Sequence, residues 1–295
     1  MGTFVGNSRE TSMKPLISII IPCYNQSHYL IDSVNSIVAQ TYTHWECILV
    51  NDGSTDNTYA VANDLSKRDS RIHVIHQRNK GLSGARNRGL DEAQGQFVQF
   101  LDADDVIYPE KLKIQITSLL AINNRVALAY SDYRNCPENN IHETIIHSSN
   151  PPARFVMELP VYDMAARWET KMSIPVHCFL FNNYFFKELN IRFDENLPNH
   201  EDWDCWMQIL KHNPTVVVTP EVLAVYRLTT NSMCSNIPGM WCGFQKAILK
   251  QQSLFKRNQL IQRILHKKLL EMKQVYLKSQ WRYVVKRYDK EYILY

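Results

Sequence analysis

Leu16-Ile17-Ser18-Ile19-Ile20-Ile21-Pro22 is the stretch whose reading decides the fold. It is short, apolar and mostly β-branched, and it closes on a proline that cannot donate to a ladder. Such a run suits a strand buried on both faces rather than one with a solvated side. A helical stretch follows from about His28 to Gln40, with Leu30, Ile31, Val34, Ile37 and Val38 on one face. Trp45 to Asn51 reads as a second strand, Asp56 to Lys67 as a second helix, and Arg71 to His76 as a third strand. Ser83 to Ala93 is a further helix, Phe97 to Leu101 a fourth strand, Pro109 to Ile122 a helix with Pro at its start, and Val126 to Tyr130 a fifth strand. Alternation with short loops implies parallel strands joined by helical crossovers, in a sheet covered on both sides.

The 295 residues, 45% hydrophobic and 21% charged, describe a soluble globular chain of one large domain with an appendage, or of two domains. The longest apolar run, Leu16 to Ile21, is strand-sized and far short of the roughly 18 residues of a spanning helix, which excludes a membrane-spanning role. Met1 to Lys14 lacks the basic and apolar segments of a secretory signal, and Gly6 stands where a myristoylation motif starting at Gly2 wants Ser or Thr. Seven cysteines without CxxC spacing are expected as buried thiols in a reducing cytosol, so the Asn25-Gln26-Ser27 sequon is silent. The net charge of +4 is uneven: residues 246–295 hold thirteen Lys and Arg against three acids, +10, leaving −6 for the rest.

Ligands of open α/β sheets bind beyond the carboxyl ends of the strands, so chemistry is sought in the loops after strands one, two and four. These read Pro22-Cys23-Tyr24-Asn25, Asn51-Asp52-Gly53-Ser54-Thr55-Asp56, and Asp102-Ala103-Asp104-Asp105. The second also reads as a turn and cap, with Gly53 at positive φ, Ser54 or Thr55 capping the next helix and Asp56 at its positive end. In the third, three carboxylates within four residues repel one another with no adjacent Lys or Arg, which a divalent cation explains better than a solvated turn. Hard oxygen ligands with open positions favour Mg²⁺ or Mn²⁺ shared with a substrate's phosphates.

Five motifs in order, SIIIPCYN at 18–25, ILVNDGSTD at 48–56, GLSGARNRG at 81–89, FLDADD at 100–105 and HEDWDCW at 200–206, give the chain its likeness. It resembles the inverting, GT-A-fold nucleotide-sugar glycosyltransferases of family 2, over about residues 16 to 228. The resemblance implies a Rossmann-like, mostly parallel central sheet flanked by helices, here with a basic helical C-terminal appendage. It divides the chain into an N-terminal tail (1–14), a nucleotide-sugar-binding half (15–130), an acceptor-binding half (131–230) and a basic extension (231–295). Pro22 and Tyr24 would flank the base, Asp52 would accept from its edge, and Arg86 would lie nearby. Asp102 and Asp104 match the DxD pair, Asp102 near the ribose and Asp104 holding Mn²⁺ or Mg²⁺ on the pyrophosphate. Asp202, in a sequence like the family's ED motif, would be the base that takes the acceptor's hydroxyl proton, with inversion at the anomeric carbon. The same segment is a packing helix by spacing, through Trp203, Trp206, Met207 and Leu210.

The resemblance implies a sugar nucleotide, UDP-linked before dTDP or GDP, as donor and a glycan or lipid-linked acceptor, as in cell-surface polysaccharide or lipopolysaccharide synthesis. Many members carry Tyr-Arg-x-His where this chain has Tyr226-Arg227-Leu228-Thr229, which leaves open whether His177 or His200 substitutes for the missing imidazole. From Lys246 onward, apolar residues recur at helical spacing, Ile261, Ile264 and Leu265, then Val275, Trp281, Val284, Val285 and Tyr288, among Lys and Arg. This is either a helix packed on the catalytic body or an anchor on an anionic membrane at the inner face of the cell membrane. Nucleic acid is excluded as a partner by the acidic body and the absence of a recognised motif. Two other functions fit parts of the chain. Asp102 to Val106 matches an aspartate-nucleophile phosphohydrolase, although that motif normally closes the first strand. A non-catalytic sugar-nucleotide-binding module is the other.

Overall fold

The computed structural model describes residues 14–145, 154–157, 159–230 and 236–291, with side chains as far as residue 278 in the last helix. The run at the start of the chain forms the strand β1 (Ile17–Cys23), which lies between β2 (Trp45–Asp52) and β4 (Phe97–Phe100), parallel to both. β3 (Ile72–Gln77) extends the parallel set beyond β2. Alternate residues of β1 enter opposite cores, Ile17, Ile19 and Ile21 on one side and Ile20 on the other, so the strand is buried on both faces. Pro22 lies within the strand, opposite Val50, rather than ending it. The Ile20 carbonyl accepts from Leu101, so Pro22, two residues on, turns its donor-less nitrogen to the same flank, where pairing with β4 has already ended.

The crossover helices are α1 (Leu30–Val38), α2 (Thr58–Arg68), α3 (Gly81–Glu92) and α4 (Lys111–Ile122). α1, α2 and α4 cover one face of the sheet and α3 the other. The apolar face of α1 is narrower than its pattern predicts: Leu30, Val34 and Ile37 are buried, whereas Ile31 and Val38 are exposed. Beyond β4 the sheet changes character. A two-residue strand β5 (Val106–Ile107) follows the acidic loop and pairs antiparallel with a late strand, β8 (Thr215–Leu228). The fifth predicted strand grows into β6 (Ala127–Pro137), and β7 (Phe179–Asn182) inserts between β4 and β6, antiparallel to both. The full order is β3-β2-β1-β4-β7-β6-β8-β5. β6 and β8 run parallel with register shifts around Asp132.

The remaining helices are α5 (Pro160–Arg167), the short α6 (Tyr184–Lys187), α7 (Glu201–Leu210), α8 (Ile237–Leu254) and α9 (Gln259–Glu291). Trp203, Trp206, Met207 and Leu210 of α7 are all buried, as their spacing predicts, and stack into a cluster with Phe179, Phe181 and Phe244. Side chains of this size each contribute about 1.5–3 kcal/mol on burial, so α7 is anchored firmly along its apolar stripe. α8 and the first turns of α9 pack on α7 and α5 through Phe244, Ala247, Ile248, Ile261 and Leu265, with Ile264 partly buried beside them. Val275 is exposed, and Trp281, Val284, Val285 and Tyr288 have side chains outside the described residues. Five cysteines are buried thiols, but Cys242 is exposed on α8, contrary to the expectation for all seven, and Cys234 lies outside the described residues.

Candidate active site

The loops after β1 and β2 are stitched together. Asn25, at φ 55°, accepts from the backbone N–H groups of Thr55 (2.8 Å) and Asp56 (3.3 Å). Its own N–H donates to Ser54 Oγ at 3.0 Å. Ser54 and Thr55 therefore join loops rather than cap α2, which corrects the capping expectation. Asp56 serves as the acceptor instead, for the backbone of Thr58 at 2.9 Å and of Ser27 at 3.2 Å. Burial opposes its charge, but these bonds outweigh burial and pull the carboxyl down to about 2. Gly53 does adopt φ 74°, and a Cβ there would meet the Asn79 nitrogen at 2.8 Å.

This platform borders a cavity of about 340 Å³ at the carboxyl ends of β1, β2 and β4. Pro22, Tyr24, Asp52, Asp102 and Asp104 all line it, with Tyr24 48% exposed at its mouth. Asp52 is buried, and its Oδ1 accepts from Gln77 Nε2 (2.7 Å) and the Lys80 N–H (2.9 Å). Arg86 is placed elsewhere. It is buried in the wall between this cavity and a second, also about 340 Å³, that is lined by Glu201 and Asp202. Its Nη2 donates to Asp102 at 2.8 Å and its Nη1 to Glu201 at 2.7 Å, so one guanidinium ties the two acidic motifs together. Asp102, Leu82 and Tyr226 line both cavities.

The acidic loop has more cationic company than its sequence neighbourhood suggests. Besides Arg86 on Asp102, Arg227 at the end of β8 donates from Nε to the Asp104 carbonyl at 2.8 Å and from its backbone to Asp105 Oδ1 at 2.8 Å. Its Nη1 reaches the Glu138 carbonyl and its Nη2 Asp32, each at 2.8 Å, and it lies over the Tyr29 ring. Asp105 Oδ2 lies 2.9 Å from Nδ1 of the buried His177, whose ring stacks on Tyr226. No Lys or Arg adjoins this cluster in sequence, and chain folding delivers Arg86 and Arg227 to it from distant positions. The Asp104 carboxylate is the exception, since among the described residues no Lys, Arg or His forms an ion pair with it. Burial, then Asp105 and Asp102, push it up to about 8.

A carboxyl raised by burial and like charge, open to a cavity, fits a divalent cation whose remaining ligands come from elsewhere. No three His, Cys, Asp or Glu side chains among the described residues form a ready-made metal cage. Neither His177 nor His200 lines the first cavity, whereas Thr229 does. His200 borders the second, at φ 57° before α7, with Nδ1 2.6 Å from Asn199 Oδ1, its ring stacked on Phe244, and Nε2 3.6 Å from Glu169.

Asp202 is partly buried at the first turn of α7 and lines the second cavity. Its Oδ1 accepts the Trp203 N–H at 2.6 Å. Burial, then Glu201, push its carboxyl up to about 7, against the opposing pull of His200 and Arg86. Asp204, fully buried two residues on, is held by Lys250 (2.8 Å) and Gln251 (2.6 Å) of α8. Asn199 bonds the Gly239 carbonyl, and a Cβ on Gly243 would lie 2.0 Å from Asn199 Oδ1, so a glycine there lets α8 approach the start of α7. Arg227, Glu201 and the α8 contacts were not assigned from sequence. Two of these carried a hint, Glu201 as the Glu of the HEDWDCW motif and Arg227 in its Tyr-Arg dipeptide near the end of the late strand.

An α/β sheet whose strand ends place an acidic loop in one cavity and a carboxyl-bearing helix start in the next defines a glycosyltransferase of the GT-A class. The chain belongs to glycosyl transferase family 2, whose model matches residues 18–190. It is 33% identical over 229 residues to the putative teichuronic acid biosynthesis glycosyltransferase TuaG of Bacillus subtilis (strain 168), covering 77% of this chain and 84% of that relative. Among solved structures, the mannosyltransferase PcManGT from Pyrobaculum calidifontis in complex with GDP-Man and Mn²⁺ shares the fold at TM-score 0.63 and 14% identity, over 96% of this chain and 82% of that one. TarS 1-349 of S. aureus in complex with UDP-GlcNAc matches at TM-score 0.61 and 19% identity, over 80% of this chain and 66% of that fragment. This chain spans 39% of the longer TarS chain.

Proposed function

We propose that this glycosyltransferase moves a sugar from a UDP-linked donor to a hydroxyl of a glycan or lipid-linked acceptor, with inversion and with a divalent cation, in cell-surface polysaccharide or lipopolysaccharide synthesis. The observation that carries the proposal is the Arg86 bridge, which ties Glu201, the residue before Asp202, to Asp102 of the acidic loop. The TuaG likeness supports the pathway class, and TarS with UDP-GlcNAc supports the carrier.

In this reading the base lies between Pro22 and Tyr24, and Asp52, one oxygen held by Gln77 and Lys80, offers the other to the base edge. Asp102, oriented by Arg86, takes the ribose. Asp104 holds Mn²⁺ or Mg²⁺, as its raised, unpaired carboxyl fits, and the PcManGT complex with Mn²⁺ supports the choice. The cation, when bound, stabilises negative charge on the departing diphosphate. Asp202, ionised, accepts the proton of the attacking hydroxyl from the opposite side, so displacement inverts the anomeric centre. Arg86 keeps Asp102 and Glu201 at fixed separation and so sets the distance between donor and base. The basic end of α9 rests on an anionic membrane at the inner face of the cell, where a lipid-linked acceptor would be met. No helix among the described residues is long and apolar enough to cross a membrane.

Calorimetry of UDP, GDP and dTDP with and without Mn²⁺, followed by release of nucleoside diphosphate from the matching sugar nucleotides, tests the core of the proposal. Metal-dependent binding with UDP preferred is expected. Turnover of an aryl phosphate without any nucleotide binding would replace it with the phosphohydrolase reading. Flotation with anionic liposomes, weakened by salt and by deletion of residues 279–295, tests the membrane contact.

A further inference from the structure

The cavity beside Asp202 carries a charge pattern that sugar transfer alone does not require. Four carboxylates border it, Asp102, Glu169, Glu201 and Asp202, against one guanidinium, Arg86. That guanidinium is already bonded to two of the four and is 2% exposed, so it has little to offer a ligand. No other Lys or Arg among the described residues borders the cavity. Asp104, the expected cation ligand, borders the donor cavity and not this one. The rest of the wall is mixed, with apolar Trp168, Ile174 and Met240 beside Asn135, Asn199 and His200.

Resting on the glycosyl-transfer reading, we propose that the acceptor presents an uncharged pyranose to Asp202, and that sugars bearing a carboxylate or phosphate on that ring are rejected. A second anion here would meet four carboxylates against only the buried Arg86 guanidinium and the His200 imidazole, whose Nε2 already lies 3.6 Å from Glu169, and would be partly withdrawn from water. The donor's diphosphate, bound next door, adds to the repulsion. Sugar hydroxyls, by contrast, are donors, and Glu169 and Asp202 are acceptors when ionised. A neutral ring satisfies both its O–H groups and its apolar face, while rejection is built from charge rather than shape.

The test uses the full chain saturated with UDP and Mn²⁺ and titrated, by ligand-observed NMR, with methyl glycosides in pairs that differ only at C6. The pairs are glucoside and glucuronide, galactoside and galacturonide, and mannoside and mannuronide. At least one neutral member should bind about ten-fold or more tightly than its carboxylated twin, a gap of about 1.4 kcal/mol. The gap should widen at low ionic strength, and Glu169→Lys should narrow it. A panel in which a carboxylated member binds as well as its twin, or in which no neutral member binds, overturns the inference. UDP binding is measured first on the same sample. If UDP fails to bind, the glycosyl-transfer reading falls; if UDP binds and anionic rings are preferred, only this inference falls.

Discussion

The acidic loop after β4 and the acidic start of α7 are built alike and differ in what completes them. Each holds three carboxylates within four residues, Asp102, Asp104 and Asp105 in one and Glu201, Asp202 and Asp204 in the other. In each, two are compensated by the protein. Asp102 and Glu201 share Arg86, Asp105 has His177 and the Arg227 backbone, and Asp204 has Lys250 and Gln251. In each the middle one, Asp104 or Asp202, lacks a bonded cation and is raised well above the ordinary carboxylate range. The compensated acids build the site, and the bare acid is left open to a ligand: in the proposed reaction, a metal in the first cluster and a proton in the second.

Exchanging the bare acid of α7 separates the two clusters most sharply. Asp202→Asn should lower transfer about 10²–10⁴-fold, the range typical of a general base, while UDP affinity with Mn²⁺ stays within about two-fold. Single-turnover transfer and calorimetry on one preparation read both, and near-normal transfer would remove Asp202 from the role. Cutting the bridge should harm both clusters at once. Arg86→Met leaves Asp102 and Glu201 without their buried partner, an expected loss of about 3–5 kcal/mol in denaturant unfolding. Glu201→Gln, on the acceptor side, should then weaken UDP binding through Asp102, which a bridge without function would not do.

The donor side of this comparison was largely legible in the sequence, the other side less so. Parallel strands with short loops announce themselves by β-branched runs such as Ile17 to Ile21, and their carboxyl ends fall at Asp52 and Asp102 without any tertiary knowledge. β5 and β7 were missed because two and four residues carry no measurable period, and their antiparallel pairing is decided by β6 and β8. Partners such as Arg86 on Glu201, 115 residues apart, or Arg227 on Asp104, 123 apart, follow from strand order rather than spacing. The loop therefore looked uncompensated in sequence and proves to be compensated everywhere except at Asp104. The extension is similar: Ile261 and Leu265 showed a packing stripe, yet its grip on α7 depends on Lys250 and Gln251, ordinary polar residues in a basic helix.

Removing the bare acid of the loop should act on the metal rather than the proton. Asp104→Ala is expected to cost on the order of 100-fold in Mn²⁺-dependent UDP affinity, leaving the weaker metal-free binding unchanged. Equal loss with and without Mn²⁺ would mean that Asp104 shapes the cavity and holds no cation. A smaller effect comes from a compensated acid. Lys250→Met strips Asp204 of its charged partner but leaves the hydrogen bonds from Gln251 and Gln208, so a loss of about 1–2 kcal/mol is expected. Because Lys250 also holds Asp194 at 2.7 Å, the change should appear in thermal unfolding before it appears in UDP affinity.

The mildest test leaves the sequence intact and varies pH. Asp202 is lifted from its ordinary 3.8 to about 7, by burial first and Glu201 second, while His200 and Arg86 pull the other way. A base works only when ionised, so transfer should rise with pH about ten-fold per unit below 7 and level off above it. Stability should move oppositely. A carboxyl whose folded value exceeds its unfolded one favours the folded state when protonated, so that contribution is complete below about 4 and is lost as pH rises toward about 7. The same ionisation that switches on the base therefore loosens the start of α7. Asp202→Asn should abolish the rate trend and lessen the stability loss over that window, with Asp104, raised to about 8, supplying the remaining slope, and a wild-type rate profile level from pH 5 to 8 would separate the raised carboxyl from the catalytic one.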